Sequence, residues 1–220
     1  MSQRDYILRL FEEFGRALAQ VLYHRQLKDY AAARNLIDEQ CKQVLGVGIG
    51  FIHSVSEETL LSMLTSFGTL NTEKCWLLAV LLKAEGDIYQ DQESPNESYY
   101  SYLKSLDLVL EVLLLDTTLS STDFVPELEG LLYKLSEYEL PKSTRVKLFH
   151  YFDQTGKYSR AEDVLFEMLE TGDPDEDIYA RGIAFYQRLR TKSDAALSTG
   201  NFSREEVEEG LAKLERMKSQ

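Results

Sequence analysis

The chain reads as an all-α protein built of antiparallel helix pairs. Three observations carry this reading. Apolar residues recur at spacings of three and four along most of the chain. Explicit helix-start signals punctuate it, and turn formers are scarce, with 12 Gly and 4 Pro in 220 residues. No stretch sustains the period-two alternation of a half-buried strand.

The first helix is expected from about Asp5 to Arg25. Ile7, Leu10, Phe11, Phe14, Ala17, Leu18, Val21 and Leu22 form one broad apolar stripe, with Glu12, Glu13, Arg16 and Gln20 opposite. A second runs from about Ala31 to Leu45, and Gly46, Gly48 and Gly50 then read as a helix stop and a flexible loop. Ser56-Glu57-Glu58 opens a short third helix through Leu64, and Thr72-Glu73 opens a fourth through Ile88. At Ser94-Pro95-Asn96-Glu97 a cap, a Pro suited to the first helical position and a Glu three residues on start a fifth, which continues to Leu115. A sixth is expected from Phe124 to Tyr138 and a seventh from Lys142 to Gln154. Ser159 with Glu162 and Ser203 with Glu206 read as capping boxes, and Asp173-Pro174-Asp175-Glu176 as an acidic start. These give helices at about 159–170, 174–192 and 203–218. About ten helices result. Residues 1–70 hold the N-terminal helices and 71–220 the remaining pairs, as one continuous unit.

Composition narrows the function. A hydrophobic share of 44% and a charged share of 28% suit a folded chain. The net charge of −13 opposes phosphate backbones and anionic lipids, so no nucleic-acid or membrane partner is expected. Cys41 and Cys75 are too few for a disulfide framework or a Cys-based zinc site, and both fall at core spacing. Glu12 and Glu13 interrupt the first helix, and Asp107 and Glu111 break the apolar stretch from Leu106 to Leu115. Neither segment reads as a signal peptide or a membrane span, and a cytoplasmic location is expected.

One six-residue pattern occurs twice: Thr155-Gly-Lys-Tyr-Ser-Arg160 and Thr199-Gly-Asn-Phe-Ser-Arg204, standing 44 residues apart. In both, Gly suits a left-handed helix end, the aromatic packs into the turn, and Ser caps the next helix. Around the first copy Phe149, Phe152, Gly156, Tyr158, Ala161, Leu165 and Met168 follow a spacing that Leu82, Gly86, Tyr89, Ser98, Tyr102 and Ser105 follow too. Val21, Tyr30, Ala33 and Ile37 match it in part. This spacing resembles that of the tetratricopeptide repeat family, although Phe149 replaces a small residue and Ser94-Pro95 replaces the Gly-x-Tyr turn. The opening Gln3-Arg-Asp-Tyr-Ile-Leu-Arg9, with Leu45-Gly46 and Ser56-Glu57-Glu58 downstream, resembles a bacterial family of uncharacterised proteins of similar type.

The resemblance implies a degenerate, right-handed solenoid whose concave face is lined by the first helix of each pair, and a protein or peptide partner bound there. Carried onto this chain, the lining positions are Lys83, Asp87, Gln90, Val146, His150 and Asp153. Their mixed charge does not suit a carboxylate clamp. Self-association through the apolar stripe of the first helix is a variant of the same function. A second class is a helical hydrolase, with His150 as base and Asp153 as its orienter three residues on. A third is a small-ligand sensor with a Tyr- and Phe-lined cavity.

Other patterns read more simply. The glycines of Leu45-Gly-Val-Gly-Ile-Gly50 follow a helix, not a strand, so they lack the context of a phosphate loop. Asp173, Asp175 and Asp177 begin like a calcium loop, but Ile178 and Ala184 stand where Gly and Glu are needed. His24, His53 and His150 are scattered, and no cofactor is implied. Tyr99, Tyr100 and Tyr102 cannot all point inward, so at least one is expected at the surface. Glu205 to Glu209 reads as a solvated face.

Overall fold

Twelve helices and one short hairpin make up the described residues of the computed structural model. These are residues 3–115, 124–170 and 176–218, with the side chains of 3–11 and of Phe124 outside the description. The helices are α1 (Gln3–Gln26), α2 (Tyr30–Leu45), α3 (Ile49–Ser54), α4 (Glu57–Leu64), α5 (Thr72–Asp91) and α6 (Pro95–Leu115). They continue with α7 (Phe124–Lys134), α8 (Lys142–Gln154), α9 (Tyr158–Glu170), α10 (Glu176–Arg190), α11 (Asp194–Thr199) and α12 (Arg204–Lys218). Strands β1 (Thr65–Ser66) and β2 (Thr69–Leu70) pair antiparallel between α4 and α5, with Phe67 and Gly68 at the tip, both left-handed.

Most starts follow the local chemistry. The side chains of Asp29, Ser56, Asn71 and Ser193 accept from the backbone N–H three residues on, at 2.8–3.3 Å. Ser203 and Glu206 form the reciprocal capping box: Glu206 N–H donates to Ser203 Oγ at 3.1 Å and Ser203 N–H to Glu206 Oε2 at 2.6 Å. Ser159 is no such cap. The helix already begins at Tyr158, so Ser159 lies inside it, and Glu162 faces Tyr186 instead. The expected loop at Gly46–Gly50 is half right. Gly46 ends α2 in the left-handed region, at φ 79°, but Asp38 Oδ1 accepts from Ile49 N–H at 2.8 Å, and α3 starts there. Six-residue α3 and α11 are too short to show periodicity, and α7 stops at Lys134, short of Tyr138. Asp173, Pro174 and Asp175 lie outside the described residues.

Among the described residues the backbone turn of the two Thr-Gly copies occurs four times, twice without that sequence. In each case an N–H reaches back five residues: Asp29 to His24, Ser94 to Tyr89, Lys157 to Phe152 and Phe202 to Leu197, all at 2.8–3.0 Å. The left-handed residue within these turns is Lys28, Glu93, Gly156 or Asn201. The second Thr-Gly copy therefore differs from the expectation: its left-handed residue is Asn201, while Gly200 sits at φ −83°. Because Lys28 bears the left-handed strain of an L-residue, Lys28→Gly is expected to stabilise the fold by about 0.5 kcal/mol, the relief less glycine's extra chain entropy. Urea unfolding reads this as a higher midpoint at unchanged m-value; a lower midpoint would refute it.

The chain divides into two compact units. The first holds α1–α5, α6 as far as Val112, and α7; the second holds the end of α6 and α8–α12. In the first, α5 and α6 run antiparallel through small residues. Ser98 Oγ donates to the Gly86 carbonyl at 3.1 Å, and Ser105 Oγ to that of Ala79 at 2.7 Å. A Cβ on Gly86 would stand 2.6 Å from the ring of buried Tyr102, so this residue must be glycine for the helices to approach. Cys41 and Cys75 are fully buried, and burial pushes both thiols up, that of Cys75 to about 12.

In the second unit α8 and α9 pair antiparallel, with Arg145 near Glu167 and Arg160 stacked on Phe152. α8 and α10 are parallel, their contacts (Phe149–Phe185, His150–Arg181, Asp153–Arg188) joining residues 31 to 36 apart. α10 pairs antiparallel with α12, not with α11. Leu214 packs over Gly182 and Tyr186 over Gly210, each closer than a Cβ would allow.

Candidate binding cleft

Asp87 on α5 is the hub of a charged network in the first unit. Arg25 of α1 meets it at 3.2 Å and Asp91 at 2.6 Å, while Lys134 of α7 meets it at 2.9 Å. The Tyr102 hydroxyl of α6 donates to Asp87 at 2.6 Å and stands 3.0 Å from Gln90 Oε1, to which Lys134 Nζ donates at 2.6 Å. One carboxylate thus ties four helices. The Arg25 hydrogen bond lowers Asp91 below the ordinary carboxylate range. Burial, with Asp87 alongside, raises Tyr102 above the ordinary phenol value. One turn back, Lys83 bridges to Glu127 of α7 at 2.6 Å.

Beside this network lies a cleft of about 730 Å³. Gln90, Glu93 and Ser94 line it from the end of α5, Ser98 and Tyr102 from α6, and Tyr133 to Tyr138 from the end of α7 and the turn after it. Tyr133 is 79% exposed and Tyr138 38% exposed, whereas Tyr102 is buried. Tyr138 is braced by Tyr99, ring centroids 4.9 Å apart. Glu93 and Glu137 are exposed at the rim. The Lys134 ammonium bonds to Asp87 and to Gln90, and the exposed carboxylates lining the cleft are those of Glu93 and Glu137.

The six residues expected to line a concave face fall into two groups, one in each unit. Lys83, Asp87 and Gln90 share a face of α5; Gln90 is exposed in the cleft, and the other two are engaged by neighbouring helices. Val146, His150 and Asp153 lie on α8. His150 and Asp153 line a cavity of about 420 Å³ with Tyr158, Arg188 and Lys192. They bond to different partners. His150 Nε2 accepts from the Arg181 guanidinium at 2.7 Å, and Asp153 accepts from Arg188. Burial, then the Arg181 charge, hold His150 below its ordinary value, as a neutral ring. Asp177, one of the three alternating acids, accepts from Arg181 Nε at 2.6 Å.

Tyr133, Lys134 and Tyr138 were not evident from sequence, because they fall at the end of an expected helix with no motif around them. The Tyr99–Tyr102 cluster was the available signal, and Tyr100 is 59% exposed. Of the α1 stripe considered for self-association, Phe14, Ala17 and Val21 are buried and Leu22 is exposed. Among the described residues no helix is long and apolar enough to cross a membrane, and no group of three or more His, Cys, Asp or Glu could hold a metal ion.

Fold and cleft together define an all-helical protein of paired helices with an aromatic groove in its first unit. Over residues 1–219 the chain belongs to DUF6483, a family of unknown function. No curated protein and no solved structure matches it.

Proposed function

We propose that the protein is a non-enzymatic, cytoplasmic binding module that holds an extended basic segment of a partner protein in the tyrosine-walled cleft of its first unit. The observation that carries this is the pair Tyr133 and Tyr138, exposed at the wall of a cleft whose rim bears Glu93 and Glu137. Exposed tyrosines give flat apolar area at low entropy cost and attract Arg or Lys through the ring face. The net charge of −13 steers such a segment in. Gln90 offers the backbone of that segment a polar partner, while Lys83 and Asp87 hold α7 in place.

A degenerate tetratricopeptide-like arrangement fits this function. The repeated turns, the small-residue seam between α5 and α6, and the parallel α8 and α10 with partners 31 to 36 residues apart support it. In the second unit Val146, His150 and Asp153 occupy the corresponding face. The hydrolase alternative needs Asp153 to orient His150, and both are bonded to arginines instead.

Selection from a displayed peptide library tests the function. Enriched peptides should carry Arg or Lys beside apolar residues and bind more weakly as salt rises. The double variant Tyr133→Ser, Tyr138→Ser, with unchanged melting, should bind at least about tenfold more weakly, the scale of one to two cation–π contacts. Enrichment of acidic peptides, or affinity unchanged in the double variant, would exclude this cleft.

A further inference from the structure

A second cavity in the first unit shares no residue with the cleft. It measures about 350 Å³ and is lined by His53 of α3, Tyr89 of α5, and Glu97, Tyr100, Ser101 and Lys104 of α6. Behind it lies Glu85, a carboxylate only 2% exposed. Glu85 Oε2 receives both His53 Nε2 at 2.6 Å and Ser101 Oγ at 3.0 Å. This is no catalytic triad, because the acid stands between the serine and the histidine and the hydroxyl proton is directed at the acid. The arrangement instead fixes the imidazole by Nε2 against Glu85.

Lys104 Nζ donates to the Val55 carbonyl at 2.9 Å, which holds one of its three N–H groups. The remaining two belong to a half-buried ammonium, and burial lowers its proton affinity. Tyr89 is steadied by Arg34, whose guanidinium stands 5.4 Å above the ring and reaches the hydroxyl at 3.4 Å. Tyr100, stacked edge-on against Tyr99, supplies the outer wall. Two tyrosines therefore flank a small space with a lysine and a histidine, in a chain of net charge −13.

We propose that this cavity binds a small organic monoanion: one carboxylate on a compact apolar or aromatic body. The ammonium of Lys104 receives the carboxylate, and the tyrosine rings receive the body. Glu85 behind and Glu97 at the entrance oppose a second negative charge, which selects monoanions over dicarboxylates. The volume sits at the lower end of small-molecule sites.

Phenylacetate is the probe, with phenylacetamide as its neutral counterpart and homophthalate as a dicarboxylate, each titrated calorimetrically into the full chain. Phenylacetate should bind, with both others at least about tenfold weaker, the scale of one charge-assisted contact. Lys104→Gln should remove the preference for acid over amide, and Lys104→Arg should restore it. Tyr100→Ala, at an exposed position that cannot unfold the core, should weaken acid and amide together. Phenylacetate failing to bind at about 10 mM, near the limit of weak recognition, would overturn the proposal. So would equal affinity for acid and amide in the unaltered protein, or an unchanged preference in folded Lys104→Gln.

Discussion

Gly200→Ala is expected to destabilise the second unit by about 3 kcal/mol, the upper range for forcing atoms into a filled site. Conformation is not the reason, since φ at Gly200 is −83°, open to any residue. The reason is space. A Cβ there would stand 2.3 Å from Tyr158 Cδ2 and 2.5 Å from the Gly156 carbonyl oxygen. The ring cannot yield, because Tyr158 is buried beside Phe185. The carbonyl cannot yield either, because Gly156 is held in its left-handed turn and Ser159 N–H bonds to Gly200 O at 3.3 Å. Asn201→Gly next to it removes a left-handed L-residue without adding an atom, and should change stability by no more than about 0.5 kcal/mol. Urea unfolding of both variants checks the pair. A loss below about 1 kcal/mol for Gly200→Ala would mean that the two turns do not pack as described.

Stability should also rise with pH between about 8 and 10.5, through Lys147 on α8. Burial brings its ammonium down from 10.5 to about 8. Below pH 8 both folded and unfolded chains hold the proton, and the folded state bears the full cost of a buried charge. Between pH 8 and 10.5 the unfolded chain holds more protons than the folded one, so unfolding becomes harder as pH rises. Above 10.5 both are neutral and the gain is complete. The shift corresponds to an upper bound of about 3 kcal/mol, and partial solvent screening reduces the expected gain to about 1–2 kcal/mol. The difference in unfolding free energy between the parent chain and Lys147→Met isolates this group. Met should be the more stable by about that amount at pH 7, and the margin should close by pH 10.5. A margin independent of pH would assign the effect to packing.

Periodic helices with explicit caps were legible in the sequence, as Ser203 with Glu206 and the run from Thr72 to Ile88 illustrate. Two short helices were not, because six residues contain less than two turns and no period can be read from them. Ser159 misled because a Ser followed by Glu at the right offset is only permissive; the chain was already helical at Tyr158. The repeat was half visible. Left-handed turns with Gly announce themselves, whereas the same turn made by Lys28 or Glu93 carries no compositional mark. At the cleft, Gln90 was reached through the family resemblance alone, whereas Tyr133 and Tyr138 belong to a helix end, which that resemblance does not mark. The pairing of Lys83 and Asp87 with α7 is a long-range fact that no local pattern encodes.

The pairing of α10 with α12 has a consequence for how such a chain can vary. α11 occupies the connection between them and lengthens the chain between the two like turns, which stand 44 residues apart. The seam itself is set by the facing pairs Gly182–Leu214 and Tyr186–Gly210, all of which lie outside the inserted segment. Connection length and seam register are therefore independent. Kindred sequences could lengthen, shorten or decorate the connection as a display loop while presenting an identical helical face. Kinship in this family would then be tracked better by its glycine–ring contacts than by its overall repeat length.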